Sequence, residues 1–211
     1  MMNTMFKRAL SGSVYVAIMW IGTSYSELSF NLLFTIVLIL SLFEMYKLRK
    51  GKSKLVAFSY VLLPLLFIQF IGLKDKNFDS NFVLLMFVLT WTFDTFAYLF
   101  GITFGKHKIL PQISAKKTWE GFVGGSIFTI IAAYITRDLF ILIEIKQLLI
   151  ISLFLPFTAT IGDFIESFYK RQAGVKDSGN FIPGHGGILD RIDSFLITIP
   201  VLYILLSIKI F

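Results

Sequence analysis

Leu55–Leu73 is a run of 19 residues without a single charged side chain. About 20 mostly apolar residues are what a helix needs to cross the hydrocarbon core of a bilayer. Inside that core every backbone amide must find its partner within the protein, so an apolar run of this length is committed to a helix. The run has company. Leu28–Tyr46 has Glu44 near its end, and Phe82–Phe104 has Asp94 inside it. Gly121–Thr136 stops at Arg137 and Asp138, and Gln147–Phe168 is apolar first and acidic last. Ser194–Phe211 carries Lys209 close enough to the terminus to snorkel. Leu10–Tyr25 follows Lys7 and Arg8 as a signal peptide would, yet no clear A-x-A site follows, so it is taken as a retained helix. The expected fold is all-α, a polytopic transmembrane protein of about seven spans. Composition agrees: 56% of the 211 residues are hydrophobic and 16% charged, against about 25% charged in soluble domains. The absence of Cys excludes disulfides, zinc-thiolate sites and a cysteine nucleophile.

The net charge of +7 reads differently in a membrane chain than in a soluble one. Cationic loops stay on the cytoplasmic side, and the remainder attracts anionic lipid; no nucleic-acid partner is expected. With a cytoplasmic N-terminus, the alternate loops divide the 20 Lys and Arg unevenly. Lys7, Arg8, the Lys47–Lys54 run, Lys106, Lys108, Lys116, Lys117, Lys170, Arg171, Lys176 and Arg191 fall on one side, which holds 15. Lys74, Lys76, Arg137, Lys146 and Lys209, the other 5, fall on the opposite side. The two long polar loops, about 105–120 and 169–193, share the cationic side. A single membrane-embedded domain over 1–211 is expected, with N-terminal spans in 1–80 and the catalytic spans and loops in 81–211.

Polar residues are scarce, so their positions carry information. Five of the 13 acids lie between Asp163 and Asp193, interleaved with Lys170, Arg171, Lys176, His185 and Arg191. Charge at membrane depth is costly and marks function. Acids beside bases suit a divalent cation holding a polyanion, because Mg²⁺ takes one or two carboxylates and leaves its remaining positions to water and phosphate. Asp163 and Glu166 are three apart and share a helix face; for Glu166 the alternative is an ion pair with Lys170 or Arg171. Asp190 and Asp193 are also three apart, where acids complement a helix N-terminus. Between them and Asp177 lies a Gly-rich stretch with His185, Gly186 and Gly187, which permits close backbone approach to a ligand or a plain hairpin.

A second polar cluster runs from Lys106 to Gly121. Lys116, Lys117 and Thr118 sit at an expected helix start, a place where anions bind, while Gly121 and Gly125 fit small-residue helix packing. Asp94, inside a span, is a functional candidate on the same ground as the other intramembrane acids.

Ser167-Phe168-Tyr169-Lys170-Arg171, then Lys176-Asp177, His185-Gly186-Gly187 and Asp190-Arg191-Ile192-Asp193 resemble the signature of the phosphatidate cytidylyltransferases, the CDP-diacylglycerol synthases. Ser114–Gly121 is similar to a second motif of that family, with Ala115 where Pro is common, and Asp94 with Ala97-Tyr98 is similar to a third. Tyr169 departs from the usual aliphatic residue or Phe. The resemblance covers the C-terminal 120 or so residues well and the first 80 only as hydrophobic spans.

The resemblance implies transfer of the cytidylyl group from CTP to phosphatidate with Mg²⁺, at the cytoplasmic face of a bilayer, the bacterial inner membrane, by a homodimer. It implies metal roles for Asp163 and Asp190, with Asp94 as a further candidate. Lys176, Asp177, His185, Arg191 and Asp193 are implied in catalysis. Lys116, Lys117, Thr118, Lys170, Arg171, Gly186 and Gly187 are implied in substrate binding. A transporter is the rival class, but no inverted repeat is present. Among lipid enzymes, the CDP-alcohol phosphotransferase motif D-G-x-x-A-R is absent, and CTP-dependent enzymes of archaeal lipids or polyprenols stay open.

Overall fold

The computed structural model describes residues 4–74, 77–140 and 144–207. Within them the chain forms seven α-helices: α1 Thr4–Ser24, α2 Glu27–Leu48, α3 Leu55–Gly72, α4 Asn81–Thr103, α5 Trp119–Thr136, α6 Ile145–Gln172 and α7 Leu189–Ser207. A two-residue antiparallel ribbon, Leu73–Lys74 with Asn77–Phe78, turns the chain from α3 to α4. Helices α2 to α6 are long and apolar enough to cross a membrane, which makes this a multi-pass membrane protein. Helices α1 and α7 have 21 and 19 residues, but polar residues occupy their first turns. Lys76 and Lys209 lie outside the described residues.

Within the described residues each apolar run is helical, and polar residues set the ends. Ser26 caps α2 by accepting from the Ser29 amide at 3.1 Å. Thr118 caps α5 by accepting from the Gly121 amide at 3.1 Å; each satisfies a donor that a helix start leaves orphaned. Helix α6 runs past its apolar part to Gln172. It stops where Gly174 turns left-handed (φ 70°) and the Val175 amide reaches back to the Lys170 carbonyl at 3.0 Å, a Schellman ending.

Helix α7 packs against α6, α3 and α2, and α5 bridges α4 and α6. At Gly162 a Cβ would stand 2.3 Å from the Asp193 carbonyl oxygen, so only glycine lets α6 and α7 close here. Gly121 and Gly125 do face α4, as their spacing predicts: a Cβ would meet the Ala97 carbonyl oxygen at 2.5 Å in one case and the Phe93 ring at 2.8 Å in the other. Aromatic pairs fill the joins, with Phe96 on Phe128 between α4 and α5 and Phe87 on Phe195 between α4 and α7. Ile36, Ile39, Ile127 and Ile135 remain on the outside, where a bilayer would cover them.

One end of the bundle collects the polar segments. Ser11 bonds the Pro183 carbonyl at 2.9 Å, and Arg171 Nε donates to the Ile113 carbonyl at 3.4 Å. Lys52 Nζ donates to the Gln172 carbonyl at 2.6 Å. The basic loop after α2 is therefore seated on the C-terminus of α6, where cations offset the helix dipole. Replacing Lys50 and Lys52 by Gln is expected to leave turnover within about twofold and to cost at most about 1 kcal/mol of stability. Turnover assays on inserted protein check this; a tenfold drop would mean that the loop reaches substrate.

Candidate active site

Four elements meet at this polar end. Asp94 comes from the middle of α4, Lys116 and Lys117 from the loop before α5, Asp163 from α6, and Asp190, Arg191 and Asp193 from the first turn of α7. All seven line one cavity of about 350 Å³. A second cavity of about 240 Å³ shares Asp94, Asp190, Arg191 and Asp193 with it and extends toward α1. The two polar clusters of the sequence thus close on one chamber, with Lys117 paired to Asp163. Burial opposes the Lys117 charge, but Asp163 and Asp94 outweigh it and hold the ammonium pKa above the ordinary lysine value. The Arg191 Nε is buried without a hydrogen-bond partner among the described residues, in a side chain that faces both cavities.

Asp190 is the most heavily bonded acid. Its Oδ2 accepts from the Ser178 amide at 2.8 Å, the Ser178 hydroxyl at 2.9 Å and the Gly187 amide at 2.8 Å. Its Oδ1 accepts from Lys170 Nζ at 2.7 Å. Lys170 also pairs with Glu166 at 2.5 Å, so this base is spent on two acids, and the Glu166 alternative of an ion pair with Lys170 is the one realised. Asp193 is buried and its Oδ1 accepts from the Ser194 amide at 2.8 Å.

The glycines serve the acids. Gly186 is left-handed (φ 85°), and a Cβ there would sit 2.6 Å from Asp190 Oδ2. At Gly187 a Cβ would lie 2.3 Å from both Glu44 Oε2 and Ser178 Oγ. Close approach is what the Gly-rich stretch was expected to provide; here it is to two carboxylates of the protein itself.

Sequence reasoning passed over Glu44. This buried acid of α2 accepts from the Ile188 amide at 3.0 Å and the Leu189 amide at 2.9 Å, capping α7, and from the Ser178 hydroxyl at 2.8 Å. Ser178 therefore lies between Glu44 and Asp190, a clasp in which the two acids share its one hydroxyl proton. The signal was present: the rule that singled out Asp94, an acid in an apolar run, applies equally to Glu44. Tyr15, whose hydroxyl donates to the Arg191 carbonyl at 3.3 Å, and Ser11 on α1 were also passed over.

Other sequence candidates are turned to structural bonds, to the second cavity or to the surface. Thr118 contacts the chamber, but its side chain is buried and caps α5. Arg171 is exposed and ties the Ile113 and Val175 carbonyls. Lys176 and Asp177 are exposed on the loop and line neither cavity. His185 lines the second cavity, with Nδ1 2.9 Å from Ser11 Oγ. Partial burial, then the charges of Arg191 and Arg8, hold its pKa below the usual imidazole value.

Asp163 and Asp190 are chamber carboxylates whose oxygens suit Mg²⁺ by chemistry. Asp163 faces the chamber, and Asp190 Oδ1, with one donor, keeps a lone pair free. Among the described residues no three His, Asp or Glu side chains form a ready-made metal cage. Mg²⁺ does not need one, since water and substrate phosphates complete its shell.

Residues 9–209 match the Cytidylyltransferase family. A Staphylococcus saprophyticus protein named phosphatidate cytidylyltransferase is 46% identical over 135 residues, 63% of this chain and 52% of that protein. A Staphylococcus haemolyticus protein of the same name is 46% identical over 129 residues, covering 60% and 49%. One from Rickettsia bellii is 32% identical over 209 residues, 95% of this chain and 90% of the relative. The match spans about half the length of the staphylococcal relatives.

Proposed function

This chain belongs to the cytidylyltransferase family, and we propose that it transfers the cytidylyl group of CTP to phosphatidate, giving CDP-diacylglycerol for membrane phospholipid synthesis and releasing pyrophosphate. The observation that carries this reading is the Lys117–Asp163 pair, which joins both polar clusters around one chamber of mixed charge. In the reaction a phosphate oxygen of phosphatidate attacks the α-phosphorus of CTP. That P–O bond forms as the bond from the α-phosphorus to the oxygen bridging toward the β-phosphate breaks. A phosphate monoester has a second pKa of about 6, so the attacking oxygen is largely ionised and needs no strong base. Positioning and relief of repulsion between two polyanions are the remaining tasks, which suits a site of Asp, Lys and Arg.

In this reading Lys116 and Lys117 hold the departing pyrophosphate, and Arg191 spans both cavities to orient one reacting phosphate. Asp163 and Asp190, with Asp94 beside them, would hold Mg²⁺, which supplies charge neutralisation at the transferring phosphoryl group. With all seven helices taken as spans of a bacterial inner membrane, the 15-to-5 division of Lys and Arg supports a cytoplasmic N-terminus and a site at the cytoplasmic face. One substrate is in the bilayer and the other in the cytosol, so that surface is where they meet.

Purified protein given labelled CTP and phosphatidate, with and without Mg²⁺, tests the reading. Label is expected in lipid only with both substrates and metal; label that enters a polyprenyl phosphate and not phosphatidate would reassign the acceptor. Lys117→Ala is expected to lower kcat/KM for CTP by roughly 100-fold without removing metal binding.

A further inference from the structure

A third cavity, of about 760 Å³, lies outside the acid chamber along α1. Arg8 and His185 stand at one end of it, and Val16, Ala17, Trp20 and Ile21 form an apolar wall. From Arg8 to Ile21 the helix rises about 20 Å, enough for a headgroup plus one leaflet of a hydrocarbon core about 30 Å thick. Arg8 is exposed and makes no ion pair among the described residues, while its stem packs over Gly184, where a Cβ would lie 2.8 Å from Arg8 Cγ. The His185 ring rests on Gly12, 3.4 Å from where a Cβ would sit. Its Nδ1 is engaged with Ser11, and Nε2 makes no hydrogen bond among the described residues.

The groove does not end at His185. Gly12, Val16 and His185 line it and also line the second cavity, which continues to Asp94, Asp190, Arg191 and Asp193. The groove and the second cavity therefore adjoin at Gly12, Val16 and His185, with the apolar wall on one side and the chamber acids on the other.

We propose that this groove is the lateral docking site and entry port of the lipid substrate, a diacyl phosphate monoester, with its phosphate received at Arg8 and His185 and an acyl chain laid along Val16 to Ile21. The inference rests on the function proposed above. The chemistry favours a lipid over a nucleotide, because the wall is mostly aliphatic, with Ser13 and the Trp20 indole N–H as its polar side-chain groups, and its cation sits at the headgroup end. Gly12 is the neck, since a larger residue there would press on His185.

Two variants outside the chamber test it, in vesicles of phosphatidylcholine with a titrated mole fraction of phosphatidate. Arg8→Gln is expected to raise the lipid KM about tenfold, the scale of one hydrogen bond to a charged group, with the CTP KM unchanged. Ala17→Trp fills the groove and should do the same with dioleoyl phosphatidate, but little with the dihexanoyl form, whose short chains do not need the wall. Unchanged lipid KM in both variants, with wild type active, overturns the groove alone. So does recovery of Arg8→Gln by added phosphatidylglycerol, which would mean general attraction to anionic membrane. A wild type that incorporates no label into phosphatidate overturns the parent reading and the groove with it.

Discussion

Asp163→Asn is expected to lower turnover about 1,000-fold, near 4 kcal/mol of transition-state stabilisation, the scale of a lost metal carboxylate. The helices should remain folded, because Asp163 faces the chamber and its ion-pair partner Lys117 comes from a loop. Asp190→Asn should be equally inactive but should also lose thermal stability. An amide cannot accept on both sides as the carboxylate does from the Ser178 hydroxyl, two backbone amides and Lys170. Incorporation of labelled CTP across a Mg²⁺ titration, beside thermal unfolding in detergent, separates the two. Near-normal turnover of either variant at limiting Mg²⁺ would remove that residue from the metal site.

Glu44→Ala is expected to destabilise the protein by about 3–5 kcal/mol, because it leaves two buried amides unpaired and the Ser178 hydroxyl with Asp190 alone. The bonds lost are those from Ile188, Leu189 and Ser178. Turnover should fall with it, since Ser178 then loses one side of the clasp that sets Asp190. Glu44→Gln keeps the shape and one acceptor oxygen and should fall between. Thermal inactivation in detergent reads the effect. A Glu44→Ala protein as stable and active as wild type would show that the clasp carries no weight.

The helices were legible because hydropathy reports transfer into lipid directly. Their ends were less so. Helix α6 was expected to stop at Phe168 and runs to Gln172, because Lys170 turns inward onto Glu166 and Asp190 instead of outward to solvent. The apolar run Ser194–Phe211 alone would start α7 late; the helix starts at Leu189, with Asp190 and Asp193 in its opening turns as expected, because Glu44 holds that charged end. Hydropathy sums over residues one at a time and cannot register a charge neutralised by a distant partner.

The site divides in the same way. Asp94, Lys116, Lys117, Asp163, Asp190, Arg191 and Asp193 were found from sequence, and the structure brings all of them to one cavity. Lys170, Gly186 and Gly187, expected to contact substrate, lie against Asp190 and Glu44.

The sequence by itself determined the membrane helices, the polar end and the family, because apolar length and motif spacing are local properties of a chain. Only the tertiary structure decided which charges face the chamber and which are spent holding others. It placed Glu44, 134 positions before Ser178, at 2.8 Å from its hydroxyl, and set Arg8 and Ser11 against the Pro183–His185 turn. A charge next to an unpaired cation and a charge already satisfied by three donors look alike in sequence; packing brings the partners, and the partners set the role.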